Sequence, residues 1–287
     1  MKQFKASVVY VALALAAVSV SRADEAPAVV TPPSASPLGP AEPSGKPEAG
    51  HEAAPTPSPT KDWSVTLGAD YYSEYIFRGV DLLKNNPVFV PSVVAKYKNV
   101  TAYYYGYYGY GKDAVPGNKW YEETDLGADW TQTVLDGKLA LTAGGLYYVY
   151  FDGISGKDTW ELYGKATWSN YVNPYIGINW DIDEFHGGYG VAGITHTYDI
   201  SKCLHLKDGT LSIVPAAQLG LDFGYNSRRT QANVNWNDVL LGVSVPYNIT
   251  PQFCVHAGFQ VSIALDSLND IGQHNERIGN VGLSYSF

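Results

Sequence analysis

Residues 253–265 read Phe-Cys-Val-His-Ala-Gly-Phe-Gln-Val-Ser-Ile-Ala-Leu and alternate between apolar and small or polar side chains along their length. Successive side chains of an extended strand point to opposite faces, so one face is apolar and the other carries Cys254, His256 and Gln260. The stretch is about twice as long as the five or six residues usual in soluble strands. Its length and alternation are typical of the strands, roughly 10 residues long, with which β-barrels cross outer membranes.

The same alternation recurs along the rest of the chain, in about twelve segments. These segments are 63–72, 88–97, 100–110, 120–134, 139–151, 159–168, 173–182, 189–200, 211–225, 236–247, 253–265 and 276–287. Short turn-forming links such as Lys98-Asn99 and Asp136-Gly137 alternate with longer polar links, as in outer-membrane barrels, although the link 201–210 is longer than this rule expects. The pattern predicts an all-β fold over residues 62–287, a transmembrane antiparallel up-and-down β-barrel of about 12 strands.

The spacing of the tryptophans supports a membrane-spanning barrel over a soluble β-sandwich. Trp120 and Trp130 lie on one face of the same segment, and Trp160 and Trp168 do so on another. A tilted strand climbs roughly 2.5 Å per residue along the membrane normal, so the two pairs span about 25 and about 20 Å. An outer-membrane apolar band is about 25 Å tall and has aromatic girdles at both edges.

Composition and charge exclude several functional classes. The chain has 287 residues, of which 19 are Lys or Arg and 28 are Asp or Glu, giving a net charge of −9. This excess of acids predicts no nucleic-acid partner, because phosphates must be neutralised by basic side chains. Two cysteines are too few for a disulfide scaffold or a four-thiolate zinc site.

The first 61 residues divide into two predicted segments. Residues 1–23 have a basic start, an apolar run and small residues before Ala23, so we predict a signal peptide cleaved after Ala23. Residues 24–61 are rich in Pro, Ala and Ser and cannot bury enough apolar surface to fold, so we predict a disordered Pro-rich periplasmic linker. Export by this route predicts that the barrel resides in the bacterial outer membrane, with its outward face in lipid.

Two stretches resemble known outer-membrane proteins. The end of the chain, with Val281, Leu283, Tyr285 and Phe287 alternating with small residues, resembles the closing strand of bacterial outer-membrane proteins. That resemblance implies recognition of Phe287 by the barrel assembly machinery. Residues 73–80, Ser-Glu-Tyr-Ile-Phe-Arg-Gly-Val, resemble the Ser-Asp-Tyr-Val-Phe-Arg-Gly motif of a family of uncharacterised outer-membrane proteins. That family implies no activity that can be transferred to this chain.

The face opposite the apolar stripes is predicted to line the barrel lumen, since a charge that faces lipid costs about 2–4 kcal/mol at the midplane for Lys or Arg. The predicted pore-lining residues are Asp70, Arg78, Lys96, Glu123, Asp125, Asp129, Glu161, Lys165, Asp222, Asp238, His256, Gln260 and Asp266. Acids dominate this set, which predicts a channel for passive diffusion of small polar or cationic solutes through a narrow lumen. Arg78 fits either a constriction or a loop anchor.

The main alternative is a barrel that does not transport, with a structural, adhesin or envelope-tethering role carried by its loops and linker. The sequence predicts no enzyme, no cofactor and no metal site. His256 and Ser262 share a face but lie roughly 20 Å apart along the strand, too far for a nucleophile and its base. His186, beside Asp183 and Glu184, fits a solvated loop cluster better than a metal site.

The two cysteines are predicted to meet at the periplasmic end of the barrel. Cys203 lies in the long link 201–210, and Cys254 lies at the base of the eleventh segment. In an oxidising compartment two cysteines whose Cα atoms lie within about 7 Å form a disulfide. We therefore predict a Cys203–Cys254 disulfide that pins the long link to the barrel.

Overall fold

The structure, a computed structural model, describes residues 62–110, 120–151, 158–226 and 234–287. The predicted signal peptide 1–23 and the predicted Pro-rich linker 24–61 lie outside the described residues and stay predictions. Among the described residues no helix is long and apolar enough to cross a membrane.

Fifteen strands and two short helices make up the regular structure of the described residues. In chain order the strands are β1 (Trp63–Tyr72), β2 (Ile76–Phe77), β3 (Val80–Asp81), β4 (Val88–Tyr97), β5 (Val100–Tyr110), β6 (Trp120–Val134), β7 (Leu139–Tyr150), β8 (Thr159–Trp168), β9 (Tyr175–Asp181), β10 (Gly188–Thr195), β11 (Tyr198–Asp199), β12 (Ser212–Phe223), β13 (Asn235–Asn248), β14 (Phe253–Ala264) and β15 (Glu276–Ser286). A 3₁₀ helix covers Ser201–Leu204, and helix α1 covers Asp266–Asp270.

Twelve of the described strands, all except β2, β3 and β11, form one closed antiparallel barrel. Sequence neighbours pair around the wall, and the ring closes where β1 meets β15, with Thr66 opposite Ser286. The remaining gap is closed by β10 and β12, which pair from Tyr189 opposite Asp222 to Thr195 opposite Ala216. The prediction of a twelve-stranded up-and-down barrel is therefore confirmed.

One predicted strand is interrupted. The segment expected over 189–200 ends as β10 at Thr195, and the two residues of β11 then pair separately with β12. After β11 the chain forms the 3₁₀ helix, and the Asp199 carboxylate accepts hydrogen bonds from the backbone N–H groups of Ser201 at 2.9 Å and Gly209 at 2.8 Å. These bonds fix the conformation of the long link, so the link is ordered although it is not a tight turn.

Tight turns join other strands at the same end. Between β4 and β5 the turn consists of Lys98 and Asn99, and Lys98 has a φ of 52°. Between β6 and β7, Asp136 and Gly137 have φ values of 53° and 85°, the left-handed conformation that tight hairpins require. Both turns lie where the sequence predicts them, although the link between β6 and β7 spans four residues, 135–138.

The outward face of the barrel is apolar and has aromatic residues near its edges. The large apolar side chains exposed on this face include Phe89, Tyr97, Trp120, Trp130, Leu141, Trp160, Leu162, Trp168, Ile176, Ile178, Trp180, Trp236, Leu241, Val243, Tyr247, Phe259, Val281, Leu283 and Tyr285. Strand pairing places Tyr97 and Trp130 on either side of Val100, at the end where the tight turns lie.

The interior is filled mainly by tyrosines and by polar or charged groups. A buried cluster of Tyr103, Leu146, Tyr148 and Tyr163 lies on β5, β7 and β8. A second cluster combines wall residues such as Val88 and Tyr121 with residues of the connection between β1 and β4. This connection therefore contributes to the core of the barrel.

Candidate functional site in the barrel interior

The connection between β1 and β4, residues 73–87, folds into the barrel, and we name it the inward segment. It carries the small hairpin of β2 and β3. Around the ring, β8 is the fifth strand from β1 through β4 and the seventh in the other direction, so β8 lies across the lumen from the segment's root. Arg78 of the inward segment nevertheless bonds Glu161 of β8. The segment must therefore cross the lumen.

Arg78 and Glu161 form a bidentate ion pair, which is the central contact of this site. The Arg78 Nη1 and Nη2 atoms donate to Glu161 Oε1 at 2.7 Å and Oε2 at 2.6 Å. Glu161 Oε2 also accepts from the Tyr148 hydroxyl at 2.9 Å and the Asn179 amide at 3.3 Å. Both side chains of the ion pair are 0% exposed, so no water-sized probe reaches either group. The ion pair is therefore shielded from water in this conformation.

Aromatic rings surround the Arg78 guanidinium. Its central carbon lies 4.7 Å from the centre of the Phe77 ring, 5.2 Å from that of Tyr189 and 4.2 Å from that of Tyr225. Each such contact of a desolvated cation with an aromatic ring contributes about 0.5–2 kcal/mol. The Nε atom of Arg78 is buried without a hydrogen-bond partner. The aromatic rings and Glu161 thus hold the guanidinium in place, although its Nε–H group has no hydrogen-bond acceptor.

The backbone of the inward segment is also fixed at Arg78. The Asn237 amide donates to the Arg78 carbonyl at 2.9 Å, and the Asn226 amide donates to the same oxygen at 3.2 Å. Arg78 has a φ of 51° and Gly79 a φ of 78°. A side chain at Gly79 would overlap Leu268 of α1, so only glycine fits between the segment and this helix.

A second set of contacts ties the inward segment to β6. The Tyr75 hydroxyl donates to Glu123 Oε2 at 2.8 Å, and the Tyr121 hydroxyl donates to the same oxygen. The Tyr75 ring stacks on Tyr107 with 4.9 Å between ring centres. Ile76 and Leu83 are buried in the same cluster at 3% and 0% exposure. Apolar packing and hydrogen bonds to wall acids thus hold the segment together.

An acidic group lies at the root of the inward segment, outside the barrel strands. Burial, together with the nearby Asp81 carboxylate, raises the pKa of Glu74, although a hydrogen bond from the backbone of Arg277 opposes the rise. One Glu74 oxygen is buried without a partner. Asp81 itself accepts from the backbone N–H groups of Leu83 at 3.1 Å and Asn85 at 2.7 Å, which shapes the turn after β3.

Several predicted lumen residues are buried in interior hydrogen bonds. Asp70 and His256 are paired, with 2.6 Å between Oδ1 and Nε2. Asp238 accepts from the Tyr189 hydroxyl at 2.9 Å. Asp222 accepts from the backbone N–H of Tyr225 at 2.6 Å. Glu123 and Asp125 are buried at 2% exposure on β6, and Oδ1 of Asp125 has no partner. These groups lie inside the barrel but face other side chains more than open water.

Other predicted lumen residues remain partly exposed. Asp129 accepts from the Tyr163 hydroxyl at 2.8 Å, and the Lys165 ammonium lies 4.8 Å from the centre of the Tyr175 ring. Lys96 is half-buried and shares a strand face with the buried Val88 and Val90. Solvent still reaches this part of the interior.

The structure corrects two expectations for single residues. Asp266 is exposed and begins α1, because β14 ends at Ala264 and the chain turns there, so Asp266 does not line the lumen. Cys203 and Cys254 are free, which contradicts the predicted disulfide. Cys203 is exposed on the 3₁₀ helix, whereas Cys254 is buried and its thiol donates to the Val255 carbonyl at 3.4 Å.

The loop histidine has a structural role. The backbone N–H of His186 donates to Asp181 at 3.3 Å, and Asp181 also accepts from Thr159 at 2.7 Å and from the backbone of Phe185 at 2.8 Å. Asp181 therefore shapes this loop. Within the described ranges no group of three or more His, Cys, Asp or Glu side chains is arranged to hold a metal.

Sequence reasoning missed the inward segment and the groups that receive it. The pattern left the connection between the first two segments, which includes residues 79–87, among the longer polar links, and it did not assign Tyr75, Tyr148 or Asn237 to the site. The available signal was the apolar content of the connection, since Ile76 and Leu83 are unusual in a loop that only faces water.

A small polar cavity lies between the inward segment and the wall. It has a volume of about 10 Å³ and is lined in part by Arg78, Gln260 and Ser262. The Oε1 atom of Gln260 and the Oγ atom of Ser262 are buried without partners, as is Nε of Arg78. A cavity of this size holds about one water molecule. The contact between segment and wall is therefore incompletely paired.

Comparison with known proteins supports the fold. No family model matches the chain, and no curated protein matches it, so the resemblance of residues 73–80 stays a prediction. Among solved structures, the chain is similar to a KdgM porin, with a TM-score of 0.50 and 8% identity over 77% of this chain and 99% of the porin. It is also similar to an outer-membrane channel from Pseudomonas putida F1, with a TM-score of 0.51 and 10% identity over 82% of this chain and 100% of that channel. At these identities the likeness shows a shared barrel fold.

Proposed function

We propose that this protein is a porin-like channel of the bacterial outer membrane, through which small polar or cationic solutes diffuse passively. The observation that carries the proposal is the closed barrel with an apolar outer face and a charged interior. A wall of this kind separates hydrocarbon from a polar path, which a soluble barrel has no need to do. The two solved structures with this fold are themselves named as a porin and an outer-membrane channel.

The membrane location is supported by the outward side chains. Monomeric soluble proteins rarely expose a contiguous apolar patch larger than a few hundred Å². Here exposed Trp, Tyr, Leu, Ile and Val side chains extend around the barrel, for example Trp160 at 48%, Ile176 at 63% and Val281 at 57%. Lipid is the environment in which this surface is stable.

A preference for cations follows from the interior charge. The acids on the interior face of the described strands include Asp70, Glu123, Asp125, Asp129, Glu161, Asp181, Asp222, Asp238 and Glu276. The cations of the described interior are Arg78, Lys96 and Lys165, and Arg78 is neutralised by Glu161. Most of these acids are buried in the described conformation, so the preference belongs to an open, hydrated lumen, in which an excess of carboxylates attracts cations and repels anions.

Assembly and export form part of the proposal. Phe287 is exposed at the end of the chain, its backbone N–H donates to Val65 at 2.9 Å, and its ring packs edge-to-face on Tyr285. We propose that the barrel assembly machinery recognises this terminal strand, after export through a signal peptide cleaved at Ala23. Residues 24–61 would then extend into the periplasm from the end of the barrel where β1 begins.

A second candidate is a barrel that does not transport, with a structural or envelope-tethering role. The observation that favours it is the buried Arg78–Glu161 pair, since both side chains are 0% exposed inside the barrel. A permanently filled barrel would serve as an anchor for its loops and for the N-terminal linker.

Planar-bilayer recording separates the two candidates. The purified protein is compared with a variant in which residues 75–86 are replaced by a short Gly-Ser linker, which leaves every barrel strand intact. A channel predicts conductance steps from both proteins, more frequent in the replacement variant, with a reversal potential that shows cation preference in a KCl gradient. Steps from the replacement variant alone would instead favour the permanently filled barrel. If neither protein gives steps above a detergent control, the channel proposal is refuted and the structural role is favoured.

A further inference from the structure

We propose that the inward segment, residues 73–87, is a gate, and that the Arg78–Glu161 ion pair is the latch that holds it shut. The inference rests on the proposed function, because a gate has meaning only in a channel. It adds that the conformation described above is the closed state and that solutes pass when the segment leaves the lumen.

The first support is that the segment closes the lumen around the latch. The inward segment leaves the wall at the end of β1 and carries Arg78 to Glu161 on the opposite wall. Neither of these two side chains is exposed to solvent. Leu83 of the same segment and Leu268 of α1 are each 0% exposed. If the segment is the gate, opening separates these buried contacts.

The second support is that the barrel wall is complete without the segment. β1 and β4 pair directly with each other, from Trp63 opposite Tyr97 up to Tyr72 opposite Val88. The segment starts at Ser73 and ends at residue 87, so both of its roots lie side by side at the rim. Ser73 is held to Gly279 of β15 by two hydrogen bonds of 2.9 Å, so the part of the segment beyond Ser73 can swing out while the β1–β4 pairing stays intact.

The third support is the quality of the docked interface. Arg78 Nε, Gln260 Oε1 and Ser262 Oγ are buried beside the same small cavity and have no partner. These three groups make no hydrogen bond to the protein, so they do not help to hold the segment in place. Arg78 also has a positive φ of 51°, which a non-glycine residue rarely adopts. Docking is therefore opposed by backbone strain at Arg78 and gains nothing from these three groups.

The latch opposes this release through charge. With Glu161 in place, the guanidinium is neutralised by two short hydrogen bonds at 2.7 and 2.6 Å. With a neutral amide at residue 161, Arg78 loses the one carboxylate that it contacts directly, and the docked state is disfavoured relative to the hydrated one. The single substitution Glu161→Gln on β8 should thus release the inward segment, which is attached to the opposite side of the barrel.

Cysteine labelling measures the motion without relying on conductance. Cys203 and Cys254 are replaced by Ser, and Leu83→Cys is introduced as a reporter that is buried only while the segment is docked. Asn85→Cys, on the same segment but exposed, is the matched control. The proteins are folded in lipid vesicles and treated with a charged, membrane-impermeant maleimide. Folding of each variant is checked by the heat-dependent shift of its gel mobility.

We expect Leu83→Cys to label slowly and Glu161→Gln to speed its labelling by on the order of a hundredfold, while Asn85→Cys labels at the same rate in both backgrounds. Arg78→Lys keeps the charge but loses the two-pronged geometry, so it should give an intermediate acceleration. This second variant keeps the test decisive if Glu161→Gln does not fold. In bilayers, both changes should raise the open fraction of the channel.

The possible failures are distinguishable. If Leu83→Cys labels at one unchanged rate in all three backgrounds, the latch is refuted and the segment is a fixed plug, although the linker-replacement variant can still conduct. If labelling accelerates as expected but the linker-replacement variant never conducts, the segment moves and the proposed channel function is refuted, and with it the role of gate.

Discussion

The substitution Leu241→Arg tests whether the outer face of the barrel meets hydrocarbon. Leu241 lies near the middle of β13, is 44% exposed and is paired with Ala217 and Val261 on the neighbouring strands. Trp236 lies five residues before it on this outward surface, which is about 12 Å along the membrane normal at roughly 2.5 Å per residue. Because half of the apolar band is about 12 Å, Leu241 lies close to the midplane.

The expected cost follows from this depth. Arg at the midplane of an outer-membrane barrel costs about 2–4 kcal/mol, and near the interface it costs about 0–1 kcal/mol. The matched control is Ile249→Arg, because Ile249 is also apolar and exposed, at 51%, but lies in the turn beyond β13. Eight residues of strand separate the two sites, or about 20 Å, which places Ile249 outside the band. Leu241→Arg should therefore be less stable than Ile249→Arg by about 2–3 kcal/mol.

The measurement is reversible guanidinium unfolding of the barrel in phospholipid vesicles, followed by tryptophan fluorescence. Free energies of unfolding are extrapolated to zero denaturant for the natural protein and both variants. In water, two exposed surface positions differ by no more than about 0.5 kcal/mol. A difference below that value between the two variants would refute the placement of this face in lipid, and the channel proposal would fall with it.

Three further predictions concern the interior charge, the long link and the cysteines. Asp129→Asn should lower the cation-to-anion permeability ratio in bilayer recordings, while Asp136→Asn on a tight turn outside the lumen should leave it unchanged. Slight burial raises the pKa of Asp199, but the hydrogen bonds of the link and a nearby lysine outweigh this and lower it. The stability that Asp199 gives to the link 196–211 is therefore complete above about pH 4 and is lost as the pH falls through the folded-state pKa of Asp199. Amide-exchange protection factors of the link measure this loss, and the pH dependence should be absent in Asp199→Asn. In the unreduced native protein Cys203 should react with maleimide within minutes and Cys254 only after unfolding, so finding no reactive thiol would restore the disulfide.

The barrel was predictable from the sequence because its strands obey a local rule. Each spanning strand must alternate, since one face meets lipid and the other the interior, and this requirement leaves a period-two pattern that needs no knowledge of the partner strands. The predicted bounds of β1, β4 and β8 agree with the structure for this reason. The predicted bounds were wrong for the segment 189–200. The alternating pattern continues to residue 200, but the strand β10 ends at Thr195.

The site was only partly predictable because it depends on long-range contacts. Parity correctly places Glu161 and Asp238 on the interior face of their strands, but it does not say what fills the space between them. The pairing of Arg78 with Glu161 joins residues 83 positions apart, across the lumen. No local pattern encodes that distance. The apolar residues Ile76 and Leu83 indicate only that the connection is buried somewhere.

The chemistry of the latch favours a reversible contact over a permanent filling. Replacing a buried ion pair by apolar side chains of similar volume is often neutral or stabilising, so an ion pair is a poor choice for simply filling a barrel. Ile76 and Leu83 of the same segment already show that apolar residues fit in this interior. The ion pair differs from these apolar side chains in its separated state, since both the guanidinium and the carboxylate are then strongly hydrated. Burying Arg78 against Glu161 therefore keeps the docked segment specific in position while leaving its undocked state stable in water.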